Sequence, residues 1–261
     1  MLYATLGGEW REVEVHDAFG RPRTARWLWH DGDAFVEAAE AIPLDPERLD
    51  PVEASSRGLG ELIAAVGNPA LLFVGLGGTA NVDGGLGMRS VIRTLSAPTV
   101  VLCDADVPLV DAARVFAPQK GATPDGVRLL EERLLALDDL RPFADMPGAG
   151  AAGGLGAAFA ALGARLERGA EMVLNLIGFD PSRYRLVVTG EGAVDATSMR
   201  GKAPGEVVRR TAKAGVRCVL FGGRVVEAPS GVETVALSGE PARAREDLVD
   251  LGAGLRRSIE E

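Results

Sequence analysis

The sequence predicts an α/β fold built as two α/β parts, and three observations carry that prediction. Short apolar runs at 71–74 and 186–188 each open into a glycine-rich stretch. Between such runs lie segments with helical spacing of apolar residues, as in Val127, Leu130, Leu134 and Leu137. The opening is different: three short strand-like runs follow one another with only turns between them. Strands that alternate with helices imply a mostly parallel sheet with ligands at the carboxyl ends of its strands. The mixed start marks the first half as a separate α/β unit that begins with an antiparallel meander. The expected division is 1–146 and 147–261.

In chain order, strands are expected at 12–15, 24–29 and 34–38, the first two joined by the turn Asp17-Ala18-Phe19-Gly20-Arg21-Pro22. Pro43, Pro46 and Pro51 mark a loop, and a helix over 55–66 ends at Gly67-Asn68-Pro69. A strand at 71–75 leads to a glycine-rich loop, a helix over 85–94 and a strand at 99–103. Pro124 and Asp125 open a helix that runs from 123 to 137. The small-residue segment 153–166 reads as a tightly packed helix, with another at 169–176. From 186 the order is strand, turn at Thr189-Gly190-Glu191-Gly192, helix at 204–214, strand at 217–221 and strand at 233–237. A terminal helix covers 243–259.

Composition excludes several function classes. The 261 residues are 47% hydrophobic, enough for a real core. No apolar run reaches membrane-spanning length and no signal peptide opens the chain, so a cytoplasmic location is expected. The net charge of −9 argues against nucleic-acid binding, which needs a positive field. Cys103 and Cys218 lie in apolar runs and read as buried thiols, not a disulfide. The only histidines are His16 and His30, which leaves little material for a zinc site or a histidine-based triad.

The chemistry concentrates in two stretches. In LLFVGLGGTANVDGGLGM, residues 71–88, Gly77, Gly78, Gly84 and Gly85 surround Thr79, Asn81 and Asp83. Glycines at a strand end let bare backbone N–H groups approach a phosphate or sugar acid, and the polar side chains orient it. In RLVVTGEGAVDATSMRGKAP, residues 185–204, Glu191, Asp195, Ser198 and Lys202 follow a short strand. Carboxylates and a lysine there suit phosphoryl transfer: the cation stabilises phosphate charge, and a carboxylate binds metal or accepts the hydroxyl proton. Asp195 is the expected base or its orienter, although an Asp there also suits a helix cap. Lys202 at a helix start opposes the helix dipole, which favours a ligand role over a solvated one by a modest margin. Lys120 follows in PQKG. Asp104 and Asp106 point to one face if extended, where they could hold Mg²⁺ or pin a turn. Gly75-Leu76-Gly77-Gly78-Thr79-Ala80 also satisfies G-x-G-x-x-A after a strand, a weak dinucleotide-binding and oxidoreductase signal. Ala196 and Ala203 exclude a Walker A loop around Gly201-Lys202.

GLGGTANVDGGLGM, CDADVPL, ARVFAPQKGATP, PGAGAAGGLGAAFAALGARLERGAEMVL and VVTGEGAVDATSMRGKAPGEV occur in that order. Together they resemble the glycerate kinase type 1 family over residues 7 to 223. The resemblance implies a flavodoxin-like domain with a second α/β domain inserted, of which the later flavodoxin-like part would be present here. It also implies ATP-dependent phosphorylation of D-glycerate with Mg²⁺. The roles then fall to Asp195, Lys202 and Glu191 as catalytic groups, and to Gly77, Gly78, Thr79, Asn81, Asp83, Gly84, Gly85, Lys120 and Ser198 around the substrate or phosphate. Asp104 and Asp106 would hold the metal. Val107, Ala193 and Thr197 stand where the family usually has an amide, an arginine and a glutamine, so those contacts are not carried over. The family's APDSFKGS-like and DGGEGT-like loops do not occur in this sequence. The expectation is therefore a chain with little activity alone, and a sheet edge covered by a second copy or a partner chain. A non-catalytic, ligand-binding remnant is the alternative.

Overall fold

The computed structural model describes residues 2–103, 106–199 and 202–260. They form two compact units divided between Val173 and Leu174. The first unit holds α1 (Leu2–Leu6), β1 (Glu9–His16), β2 (Pro22–His30), β3 (Asp33–Glu37), α2 (Ala38–Ala41), α3 (Arg57–Val66), β4 (Leu72–Gly75) and α4 (Leu86–Val91). It continues with β5 (Thr99–Cys103), α5 (Ala112–Phe116), α6 (Pro124–Leu135), α7 (Ala151–Ala161) and β6 (Arg165–Arg168). The helix α8 (Gly169–Leu176) carries the chain across the division.

Six strands make one mixed sheet in the order β1-β2-β3-β4-β5-β6. The meander β1-β2-β3 is antiparallel, and β3 through β6 pair in parallel. The first turn forms because the Asp17 carboxylate accepts the backbone N–H groups of Phe19 and Arg21 and the Arg21 guanidinium. With that turn fixed, Val13 faces Ala25 across the ladder, and Val15, Ala25 and Trp27 enter the core. On α3, Leu59, Leu62, Ile63 and Val66 recur at helical spacing and are buried against the sheet together with Leu155, Ala158 and Phe159 of α7. A second cluster gathers Val82, Leu109, Ala112, Leu130, Leu134 and Leu140.

The first unit extends past residue 146 to Val173. The cause is β6, which pairs with β5, and α7, which buries its apolar face in the first core. The helix expected over 153–166 ends at Ala161, and the charged run Arg165–Arg168 is the edge strand β6. The helix expected over 85–94 stops at Val91.

The second unit contains β7 (Leu186–Val194), α9 (Ala203–Ala214), β8 (Arg217–Val225), β9 (Glu233–Ala236) and α10 (Ala244–Glu260). Its three strands are parallel in the order β7-β8-β9. One of its buried apolar clusters is formed by Val194, Val208 and Leu220, and Val187 and Val219 of its strands are buried as well. The expected turn at Thr189-Gly190-Glu191-Gly192 is instead strand: β7 runs on to Val194 beside a β8 that runs on to Val225. The glycines explain the difference. A Cβ on Gly190 would lie 2.5 Å from the Phe221 ring and carbonyl oxygen, so glycine here lets two strands close up instead of turning the chain. Cys103 is buried, Cys218 is only half-buried, and neither is in a disulfide. No helix among the described residues is long and apolar enough to cross a membrane.

Candidate functional site

The carboxyl ends of β4 and β5 open onto a cavity of about 300 Å³. Leu44, Leu76, Gly77, Gly78, Thr79, Leu102, Phe116, Gln119, Lys120, Ala151 and Ala152 line it. The loop after β4 is held to the segment after α2. Leu44 N–H donates to the Gly78 carbonyl at 2.7 Å, and Ala80 N–H donates to the Ile42 carbonyl at 3.1 Å. Thr79 is thereby fixed at the cavity wall and buried.

Lys120 reaches the same wall from the single 3₁₀ turn Pro118–Lys120. Its residue is 4% exposed, which matters because a lysine is rarely so buried without a task. Its Nζ donates to the Asn81 carbonyl at 2.7 Å and lies 3.5 Å from Thr79 Oγ1. Among the described residues its charge has no direct ion-pair partner. Burial depresses its pKa to about 8, and attraction from Asp83 opposes that depression. Among the described residues the cavity is therefore furnished with an under-compensated cation. An anionic ligand would compensate it.

Asp83 organises the loop from behind. Its carboxylate accepts five hydrogen bonds, from Ser56 N–H and Oγ–H, Asn81 Nδ2, Gly85 N–H and Gly87 N–H. This explains why Ser56, at the N-cap of α3, does not cap that helix with its side chain. Asn81 is completely buried, and Nδ2 also donates to the Ala152 carbonyl at 3.2 Å. Its Oδ1 has no partner among the described residues. A second strained segment meets the loop there. Ala152, Gly153 and Gly154 have φ of 51°, 68° and 92°, and the Gly153 carbonyl accepts from Gly84 N–H at 3.0 Å. A Cβ on Gly153 would come within 2.5 Å of Val82 Cα, so the two loops touch backbone to backbone. Ala152 takes the left-handed conformation without being glycine, and it lines the cavity. Strain of this kind gathers at ligand sites.

Of the residues singled out in the sequence, Gly77, Gly78, Thr79 and Lys120 line this cavity. Asn81, Asp83, Gly84 and Gly85 shape the loop behind it. Asp104 lies outside the described residues. Asp106 pairs with Arg168 at 3.0 Å, and no group of three or more metal-ligating side chains occurs among the described residues. In the second unit, Lys202 Nζ lies 3.2 Å from Glu191 Oε2, and Glu191 Oε1 is buried without a partner among the described residues. Lys202 is the residue before α9, as expected. Asp195 accepts from Thr197 N–H at 2.7 Å and Thr197 Oγ1 at 2.6 Å, and these bonds hold its pKa below the usual carboxylate range. Ser198 is buried, and its Oγ accepts from Asp195 N–H. Sequence reasoning missed Leu44, Phe116, Gln119 and Ala152. Gln119 was adjacent to Lys120, but the return of residue 152 to the β4 loop has no local signature.

The dinucleotide-type signal does not survive this geometry. That fingerprint needs the glycine turn to open directly into a helix whose N-terminus binds pyrophosphate. After Gly75–Ala80 the next helix starts only at Leu86.

These features define a two-unit α/β protein with a cation-furnished cleft at the carboxyl ends of parallel strands. The particular family follows from comparison: the glycerate kinase family model matches residues 1–95 and 90–242, and the chain belongs to that family. Among its relatives, the Escherichia coli glycerate 2-kinase is 34% identical over 78% of this chain and 67% of its own length. An uncharacterized Mycobacterium tuberculosis protein is 36% identical over 84% of this chain. The chain spans 65% of that relative's length. A solved Salmonella typhimurium LT2 structure, itself provisionally described as glycerate kinase 2, matches with a TM-score of 0.76 and 26% identity. That match covers 100% of this chain and 86% of the other.

Proposed function

We propose that this chain serves ATP-dependent phosphorylation of D-glycerate and that the cavity at the ends of β4 and β5 takes the glycerate. The observation that carries the reading is buried Lys120, whose charge has no direct ion-pair partner among the described residues. A carboxylate beside Nζ would supply the missing counter-charge, and Thr79 Oγ1, Gln119 and the Gly77-Gly78 backbone offer hydrogen bonds to hydroxyls. A cavity of about 300 Å³ suits a three-carbon acid better than a nucleotide.

Asp195, Lys202 and Glu191 are the residues proposed for the phosphoryl-transfer step. Asp195 is held as a carboxylate by Thr197, so it is better suited to orient an attacking hydroxyl than to store its proton. Lys202 would place positive charge against phosphate, and Glu191 positions that ammonium. Ser198 acts through Asp195, whose backbone it fixes. Magnesium would enter with the nucleotide, where it neutralises phosphate charge. The described residues do not assemble a protein-held cage for it, and Asp106 is occupied by Arg168.

Two further readings belong to this proposal. The strand β7 is an edge of the parallel sheet, paired with β8 on one side and with no strand on the other among the described residues. A second copy or a partner chain would add a strand there, which sedimentation analysis would report as a dimer or a complex. A cytoplasmic location accords with ATP use and with two cysteines that form no disulfide.

The test is ADP release in a coupled assay with and without D-glycerate, beside calorimetric titration of D-glycerate alone. Acid-dependent ADP release supports the reading. Release no faster with the acid than without it, together with no binding heat, sinks it.

A further inference from the structure

A second cleft of about 400 Å³ lies in the first unit, between α4 and the segment that follows α6. Leu86, Arg89, Ser90, Ile92, Arg93, Leu137, Asp139 and Leu162 line it, none of which lines the cavity around Lys120. We propose that this cleft is a separate binding site for a small carboxylate that carries a short apolar tail.

The charge arrangement points to the carboxylate. Arg89 and Arg93 are four residues apart and both face the cleft. The Arg89 side chain is 15% exposed, and one of its terminal nitrogens pairs with Asp139. Its Nε is buried with no acceptor among the described residues. A guanidinium taken out of water normally has its N–H groups paired, because an unpaired buried donor is costly. Arg93 is exposed and has no acceptor among the described residues. In a chain of net charge −9, two neighbouring arginines, of which only Arg89 pairs with a carboxylate, are a local positive excess. A guanidinium fork matches a carboxylate with two parallel hydrogen bonds, which a lone ammonium cannot do.

The walls point to the tail. Leu137, Leu162 and Ile92 give the cleft an apolar floor, and Leu86 stands 50% exposed at its rim. An exposed leucine next to an under-paired arginine is what an amphiphilic acid would cover. A bare inorganic anion would satisfy the arginines and leave this apolar wall wet. The cleft also lies on the helix into which the Asn81–Gly85 loop runs, so its occupant would rest against the scaffold of that loop.

The experiment is a calorimetric titration of the full chain with hexanoate, acetate, hexanol and inorganic phosphate as separate probes. Hexanoate is expected to bind in the millimolar range or tighter, and each other probe at least about tenfold more weakly. Arg93→Ala should weaken hexanoate about tenfold or more, and Arg93→Lys should recover only part of the loss. Arg93 is exposed, so its replacement leaves the fold intact, and an unchanged Tm confirms that. Leu86→Glu should abolish hexanoate binding by setting a negative charge at the rim. Absence of hexanoate binding to the wild type overturns the proposal. So does equal binding of hexanoate by wild type and Arg93→Ala, or preference for phosphate over hexanoate. D-glycerate binding at Lys120 is read separately, by Lys120→Met, so failure of one site leaves the other measurable.

Discussion

The two glycine-rich stretches, 75–87 and 189–202, look alike in sequence and do opposite things in the structure. In the first, positive φ at Gly78, Gly84 and Gly85 bends the chain around a buried carboxylate, Asp83, and leaves a cavity in front of it. In the second, Gly190 and Gly192 lie inside β7 and Gly222 and Gly223 inside β8, and Gly190, Gly222 and Gly223 permit close strand contact. The charges differ in the same sense. Lys120 is buried with a depressed pKa, whereas Lys202 is 39% exposed in its side chain and already paired with Glu191. Glycine plus acid plus lysine is thus one composition with two physical solutions. The first lines a pocket within its own unit.

Asp83 and Asp195 give the sharpest way to break that comparison. Asp83→Ala removes the acceptor for five donors, several of them buried, and should destabilise the first unit by about 3 kcal/mol or more. Asp195→Ala loses local bonds to Thr197 at an exposed turn and should cost far less than Asp83→Ala. All three tryptophans, Trp10, Trp27 and Trp29, lie in the first unit, so the fluorescence midpoint in urea reports Asp83→Ala, and the circular dichroism midpoint reports Asp195→Ala in the second unit. Equal shifts for the two variants would mean that Asp83 is no more structural than Asp195.

The Lys120 charge sets the next effect. Its pKa of about 8 lies below the unfolded value of 10.5, so folding disfavours its protonated form. Below pH 8 both states hold the proton and the penalty is complete. Between pH 8 and 10.5 the unfolded chain keeps a proton that the folded chain has lost, so stability gains with rising pH, by up to about 3 kcal/mol. Lys120→Met should be more stable than wild type at pH 7, and that advantage should shrink as pH approaches 10.5. A carboxylate ligand reverses the preference, because it favours the ammonium. D-glycerate affinity should therefore fall above about pH 8, with proton uptake on binding, and Lys120→Met should lose at least about tenfold in affinity. Buffer-dependent calorimetry checks both signs.

Gly153 and Gly192 separate glycine that is needed from glycine that is tolerated. A Cβ at Gly153 meets Val82 Cα at 2.5 Å with φ at +68°, so Gly153→Ala should cost about 2 kcal/mol or more. A Cβ at Gly192 meets nothing within 4 Å, and Gly192→Ala should stay within about 0.5 kcal/mol. Urea midpoints by fluorescence for the first and by circular dichroism for the second test the pair.

Much of the fold was legible because it rests on local chemistry. The Asp17 turn, the stripe on α3, the strand at 99–103 and the start of α9 beside Lys202 all follow from residues within a few positions of one another. The failures involve partners far along the chain. Thr189–Gly192 reads as a turn until Phe221 is placed beside Gly190. The strand β6 is four mostly charged residues whose pairing with β5 alone defines it. At the site, the β4 loop and Lys120 announced themselves by residue type. The hub role of Asp83 depends on Ser56, twenty-seven positions earlier, and the strained Ala152 depends on a return of the chain seventy-one positions later. Periodicity carries no record of either.

Lys202→Ala carries the smallest expected effect on folding and bears most directly on the second stretch. Its ammonium pairs with Glu191 at 3.2 Å, but with 39% of the side chain exposed the pair is worth about 1 kcal/mol or less. Its position just before α9 sets a positive charge at the positive end of the helix dipole, which offsets part of even that. Removal also leaves Glu191 mostly covered, with Oε1 already lacking a partner among the described residues, so a small net loss is the expected balance. The Tm should move by a few degrees at most. If Lys202 serves phosphate, the same variant should lose at least about tenfold in MgATP affinity, far out of proportion to its stability change. If MgATP affinity is unchanged, Lys202 is a surface partner of Glu191 and the second stretch contributes strand packing alone.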